Sequence, residues 1–244
     1  MNDIVTDISE PQSSVGIANV RHWLEMLHLD SIFYCHFKSN AHVLEGMNGI
    51  TDLDILIDRN RYAECVKQLN ASGFKRFTTS SLISYPGVED WLGFDAETGK
   101  MTHLHIHWEM MAGEPNLKGY HLPWEKMILG SRVWDEKHAI FTSSPEMELI
   151  LLLVRAALKY RTRDFIKELI GKKYPLVKSD IFLEFNWLVG RVDSSKLHEL
   201  SAQLMSVPIA NQVDEILQKG LSDKLSFHDF RRSVLKKLGY YKIY

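Results

Sequence analysis

The sequence predicts an α+β fold, a small mixed β-sheet with flanking helices followed by an all-helical region. Three observations carry this reading. The stretches Gly49–Asp58 and Met101–Trp108 alternate side-chain character with the period of two that a half-buried strand requires. Between the short strand-like segments, apolar residues recur three and four positions apart, as on one face of a helix. From Ser144 onward only the helical spacing persists, so strands and helices segregate along the chain. The expected organisation is a lead-in over 1–14, an α+β domain over 15–142 and a helical domain over 143–244.

Composition bounds the answer. The 244 residues suffice for a sizeable core, and 45% hydrophobic with 25% charged residues is ordinary for a folded chain. A formal charge of −2 gives no bulk attraction to nucleic acid or an anionic membrane, which argues against nucleic acid as a partner. No apolar run approaches the roughly 18 residues of a membrane span. The polar stretch 1–14 lacks a basic, then apolar, leader pattern, so a cytoplasmic protein is expected. Cys35 and Cys65 are too few for a disulfide framework.

Taken in order, Val15–Leu29 places Ile17, Val20, Trp23, Leu24 and Leu27 at helical spacing. Ser31–Phe37 is aromatic and β-favouring and predicts a strand. A short helix over 41–47 and a turn at Asn48-Gly49 precede the aspartate strand. Arg59–Ser72 is amphipathic and closes with Gly73, and Phe74–Thr79 resumes as strand. Residues 81–100 suggest a hairpin or irregular strand around Tyr85-Pro86-Gly87, and 112–122 reads as loop. Ser144-Pro145 opens a long apolar helix, followed by helical patterns over 163–170, 179–189, 194–205, 210–219 and 226–238.

The chemistry centres on the aspartate strand. Asp52 and Asp54 are two residues apart and share a face, while Leu53, Ile55 and Ile57 turn into the core. Adjacent carboxylates repel unless a cation lies between them, and an all-oxygen ligand set favours Mg²⁺. Lys38-Ser39 comes just before, bringing a cation and backbone N–H groups toward the pair. His103, His105 and His107 share one face of the 101–108 strand, and Glu109 would join them if alternation continued. Two of these histidines with Asp52 or Asp54 could ligate Zn²⁺ or Mn²⁺; alternatively they act without metal, or are hydrogen-bonded structural histidines. Cys35 reads as core and His36 as bordering the site. The tryptophans 91, 108, 124, 134 and 187 read as packing rather than a stacking platform. Arg155 and Lys159, four apart on a helix, share a face that could reach an anion from the second domain; Arg161 and Arg163 follow them.

The order strand, Lys38-Ser39, helix, then Gly49-x-x-Asp52-x-Asp54 on a second strand resembles the nucleotidyltransferase superfold. More narrowly, Tyr34–Asn40 with Thr51–Asp58 looks like an uncharacterised bacterial nucleotidyltransferase-like group associated with surface-polysaccharide gene neighbourhoods. Leu104-His105-Ile106-His107, Gly113-Glu114 and Tyr120-x-Leu122-Pro123 also fit that group. The resemblance covers residues 31 to 160.

It implies an enzyme in which Asp52 and Asp54 hold Mg²⁺ (or Mn²⁺) and an NTP is the substrate. Its nucleotidyl group would pass to a small-molecule or glycan-precursor acceptor. Lys38, Ser39, Asn40, Gly49 and Thr51 would surround the nucleotide, with Arg155 and Lys159 on the triphosphate. Two departures matter. The turn is Lys-Ser where the superfold has a Gly-Ser-like one. Where it places a third carboxylate, this chain offers His105 or His107, as base or as ligand of a borderline metal. The alternatives are a catalytically degenerate nucleotide-binding module and a toxin-type transferase acting on RNA or protein.

Overall fold

A computed structural model of the protein describes residues 16–78, 85–113, 118–159 and 179–242. The predicted lead-in, the 163–170 helix, Glu114, Pro115, Arg161 and Arg163 lie outside the described residues. The described architecture is α+β, a mixed sheet whose two faces are covered by helices, with a helical C-terminal stretch.

The sheet is assembled from β1 (Tyr34–His36), β2 (Leu53–Ile57), β3 (Lys75–Phe77), β4 (Val88–Asp95), β5 (Lys100–His107), β8 (Val133–Asp135) and β9 (Ile140–Thr142). Their spatial order is β3-β4-β5-β2-β1-β9-β8. β2 runs parallel to β5 and β1 parallel to β9; the remaining neighbours are antiparallel. A separate small pair joins β6 (Met111–Ala112) to β7 (Tyr120–His121), so that residues at both ends of the 112–122 stretch expected to be loop are in strands.

One face of the sheet is covered by α1 (Ala18–Leu29) and α3 (Tyr62–Ala71). Trp23, Leu24 and Leu27 from α1 and Cys65 and Leu69 from α3 join Tyr34, Leu53, Ile55, Ile57, Leu104 and Ile106 in one buried cluster. The odd-numbered residues of β2 therefore turn inward as alternation dictates. Gln68 ties the two helices by donating to Met26 O and Asp30 Oδ2.

The other face carries Cys35, Phe37 and Leu56, which pack with α4 (Glu125–Gly130) and α5 (Pro145–Lys159). α5 is apolar nearly all round and buries every residue from Leu149 to Val154, as a helix enclosed on several sides must. Around it lie α6 (Ser179–Val189), α7 (Ser194–Leu204), α8 (Val207–Lys219) and α9 (Lys224–Leu238). Side-chain caps start two of them: Asp193 accepts from Ser195 N and Lys196 N, and Asp223 from Leu225 N.

The aspartate strand is shorter than its sequence pattern. The chain first makes α2 (Val43–Met47) and then turns through Gly49 at φ +68, where a Cβ would lie 2.5 Å from Met101 O. Asp52 consequently precedes β2 and only Asp54 is within it. Nor is 88–95 irregular. It is an eight-residue strand whose buried positions include Glu89 and Asp95, and charges at core-facing positions disguised the alternation. Glu89 is accommodated by Tyr62 Oη, Trp91 Nε1 and the Arg76 guanidinium; Asp95 accepts from Thr98 N and Oγ1.

Candidate metal centre

β2 and β5 are parallel neighbours, and Asp54 is the direct cross-strand partner of His105. The period of two places His107 on the same face one step along. The result is a cluster in which ligand atoms of Asp54, His105 and His107 all lie within 4.8 Å of one another. His105 Nδ1 is 2.9 Å from Asp54 Oδ1, and His107 Nε2 is 3.4 Å from the same oxygen. Lys38 Nζ completes the group at 2.5 Å from that oxygen.

The electrostatics follow from burial and these contacts. Burial would push the Asp54 carboxyl up, but the Lys38 charge and the His105 and His107 contacts outweigh it and hold it well below the usual carboxylate range. His107 is fully buried, which holds its imidazole well below its ordinary value and therefore neutral at pH 7. Its Nδ1 makes no hydrogen bond among the described residues, Nε2 has the long contact with Asp54, and Phe37 meets the ring edge-on at 4.8 Å. A neutral buried imidazole with an unengaged nitrogen beside an ionised carboxylate is a ready metal ligand.

A cleft of about 340 Å³ meets this cluster at Asp54 and is lined by His36, Lys38, Ser39, His42, Glu45, Ile50, Thr51, Asp52 and Asp54. Asp52 is exposed while Asp54 is buried, so the two carboxylates share a cleft but not an environment. Asp52 Oδ1 accepts from Thr51 Oγ1 at 3.0 Å, and Oδ2 lies 4.0 Å from His105 Nδ1. His36 borders the cleft as expected; its Nδ1 meets Asn40 Oδ1 at 2.6 Å, and burial lowers its basicity.

The turn after β1 is built differently from a free phosphate cradle. Ser39 adopts the left-handed region at φ 56. Its hydroxyl donates to Glu184 Oε1 at 2.9 Å. Asn40 N and Nδ2 donate to Glu148 Oε1 and Oε2, both at 2.7 Å, and Nδ2 also reaches Ser143 Oγ. Of the residues expected around a nucleotide, Lys38, Ser39 and Thr51 line the cleft. Asn40 and Gly49 instead shape its walls, the first through Glu148 and the second by the close approach to β5.

The remaining expected residues divide. Arg155 is half-buried and Lys159 exposed on α5, and the charges of both bear on Lys118. His103 turns away from Asp54 to Asp90, with Nε2 2.9 Å from Oδ1, and this bond raises the histidine and lowers the acid. Glu109 does not join the histidine face. It follows the end of β5 and pairs with Arg59.

Four participants carry no motif signal. Asp90 on β4 is in register with His105 from the side opposite Asp54, its Oδ1 3.8 Å from His105 Nε2. The alternation of β4 could have revealed it once the strand was placed. Lys118 is held near the cluster's field: burial and the neighbouring charges of Lys38, Arg155 and Lys159 push it down to about 8, and Nζ sits 4.7 Å over the Tyr85 ring. Glu148, pushed up to about 7 by burial, and Glu184 come from the helical region and meet the turn only through tertiary structure.

One carboxylate and two imidazoles fit a borderline divalent ion such as Mn²⁺, Zn²⁺ or Fe²⁺ better than Mg²⁺, which prefers oxygen donors. No family model matches the chain. Neither the curated proteins nor the solved structures contain a match to it. Among the described residues no helix is long and apolar enough to cross a membrane.

Proposed function

We propose that this chain is a metal-dependent nucleotidyltransferase-like enzyme that moves a nucleotidyl group from an NTP to a small-molecule or glycan-precursor acceptor. The observation that carries the reading is the convergence of His105 and His107 on Asp54, which lines a cleft together with Asp52 and Lys38. Lys118, which interacts with the charges of Asp54, Lys38, Arg155 and Lys159, adds to the positive field a triphosphate needs. When bound, a divalent ion would neutralise the charge gathering on the phosphoryl oxygens. The donor set supports Mn²⁺ ahead of Mg²⁺ in that role.

In this reading an acceptor hydroxyl attacks the α-phosphorus, the bond from that phosphorus to pyrophosphate breaks, and the hydroxyl proton passes to a carboxylate. Asp52, exposed at the cleft, is suited to receive it. His42 and Glu45 give the cleft a polar rim matched to sugar hydroxyls. An NTP donor in turn points to the cytoplasm.

A second reading, a module that binds nucleotide without turnover, is favoured by one observation: the Asn40 N–H and the Ser39 hydroxyl are already engaged by Glu148 and Glu184. The two readings separate in one series. Melting curves with each NTP and Mg²⁺ or Mn²⁺ should rise, because a ligand of the folded state stabilises it. The Asp52→Asn, Asp54→Asn double variant should lose the rise. Pyrophosphate release with a panel of sugar acceptors then identifies the enzyme; binding without release identifies the module. If no NTP and metal combination raises the wild-type curve, both readings fail.

A further inference from the structure

Three nitrogen groups converge on a single oxygen. Asp54 Oδ1 receives Lys38 Nζ at 2.5 Å, His105 Nδ1 at 2.9 Å and His107 Nε2 at 3.4 Å. Two of the three belong to the candidate ligand set, and the third is the Lys38 ammonium.

Building on the metal-site reading above, we propose that Lys38 is a resident cation which a divalent ion must displace. The displaced ammonium becomes a contact for the anionic ligand. A metal on Asp54 Oδ1 would sit roughly 2.0–2.2 Å from it, as carboxylate-bound zinc does. That is the side of the carboxylate where the histidine nitrogens and the ammonium already gather. Like charges cannot accumulate there, because a divalent ion and an ammonium a few ångströms apart repel each other strongly.

Lys38 can move because its charge rides on a flexible four-carbon stem, whereas the two histidines are set by β5. The stem is rooted at the left-handed turn of Ser39, and Lys38 already lines the cleft. Expelled from Asp54, its ammonium remains in that cleft, where a phosphate-bearing ligand would meet it. Metal and anion then bind cooperatively. The ion releases the lysine, and the anion stabilises the released position. Without an anion, the lysine holds the metal affinity down.

The test uses the full chain, Mn²⁺ alone as the metal probe followed by electron paramagnetic resonance, and sulfate as a weakly chelating anion probe. Lys38→Met should bind Mn²⁺ about tenfold more tightly than wild type, the order expected when one nearby charge is removed. Lys38→Arg, which keeps the charge, should stay near wild type and shows that the gain comes from charge and not from altered folding. Mn²⁺ should strengthen sulfate binding in wild type and leave it unchanged in Lys38→Met. Equal or weaker Mn²⁺ binding by Lys38→Met, with wild type binding the ion, overturns the exchange and leaves the metal site standing. If wild type, Lys38→Met and Lys38→Arg all fail to bind Mn²⁺, the metal-site reading falls and the exchange with it.

Discussion

Asp54 and His105 face each other across parallel strands, with Oδ1 and Nδ1 2.9 Å apart and their Cα atoms in direct register. On the opposite side of the same histidine stands Asp90, also in direct register. This carboxylate–imidazole–carboxylate row is fixed by strand pairing, so its dimensions are backbone dimensions rather than the choice of flexible side chains.

Asp54 should matter to stability as well as to binding. Asp54→Asn removes the charge that Lys38 faces inside the cluster and is expected to destabilise the metal-free protein by about 3 kcal/mol. It should also abolish Mn²⁺ binding. Denaturant titration and metal titration of the same preparation check both.

His107 should behave in the opposite way. Its ring is buried, Nδ1 makes no hydrogen bond among the described residues and Nε2 has only the 3.4 Å contact with Asp54, so the folded state loses little when the ring is replaced. His107→Leu is expected to stay within about 1 kcal/mol of wild type in a metal-free melt, because loss of the long Asp54 contact is offset by removal of the unsatisfied buried Nδ1. Mn²⁺ affinity should fall by more than about tenfold.

Glu148 makes a pH prediction. Its folded value near 7 lies above the ordinary 4.5. A group raised in the folded state contributes stability that is fully present below its unfolded value and is lost as pH rises through the folded one. Wild type should therefore lose stability from about pH 4.5 to about 7, by up to about 3 kcal/mol from this group. Glu148→Gln should lack that component, giving a shallower decline in denaturant midpoints across the same range.

Lys118 makes a second. With a value near 8 it sheds its charge as pH climbs from about 7 to about 9. Nucleotide affinity in the presence of metal should decline over that interval. Lys118→Ala should be weaker by about tenfold at pH 7 and should lose that part of the decline. Fluorescent-nucleotide titrations at fixed ionic strength measure both.

Gly49 tests the backbone that sets the register of the site. Its φ of +68 and the 2.5 Å approach of a Cβ to Met101 O leave no room for a side chain. Gly49→Ala should cost more than about 2 kcal/mol in a thermal or denaturant melt.

The sequence made much of this legible. Leu53, Ile55 and Ile57 on one side, and His103, His105 and His107 on one face of their strand, follow from a period of two that no tertiary contact alters. The helices α5 to α9 were likewise readable from their spacing, the first also from the Ser144-Pro145 start. What stayed hidden was non-local. Val88–Asp95 conceals its alternation because Glu89 and Asp95 occupy inward positions, and their partners Tyr62, Arg76 and Thr98 become visible only once the chain is folded. With β4 unplaced, Asp90 could not be set beside His105. The roles of Glu148 and Glu184 depend on contacts that span 108 and 145 positions. No local pattern encodes such distances.

The turn that carries Lys38 is fastened from outside its own half of the chain. Glu148 holds Asn40 and Glu184 holds Ser39, while Cys35, Phe37 and Leu56 share a core with α5. A fragment ending at residue 142 would retain every strand of the sheet, both cleft aspartates and the histidine row. It would nevertheless lose the two carboxylates that shape the lysine turn and expose the apolar face beneath it. The sheet is therefore no portable cassette: it cannot be grafted, minimised or swapped between hosts without the helices that complete it.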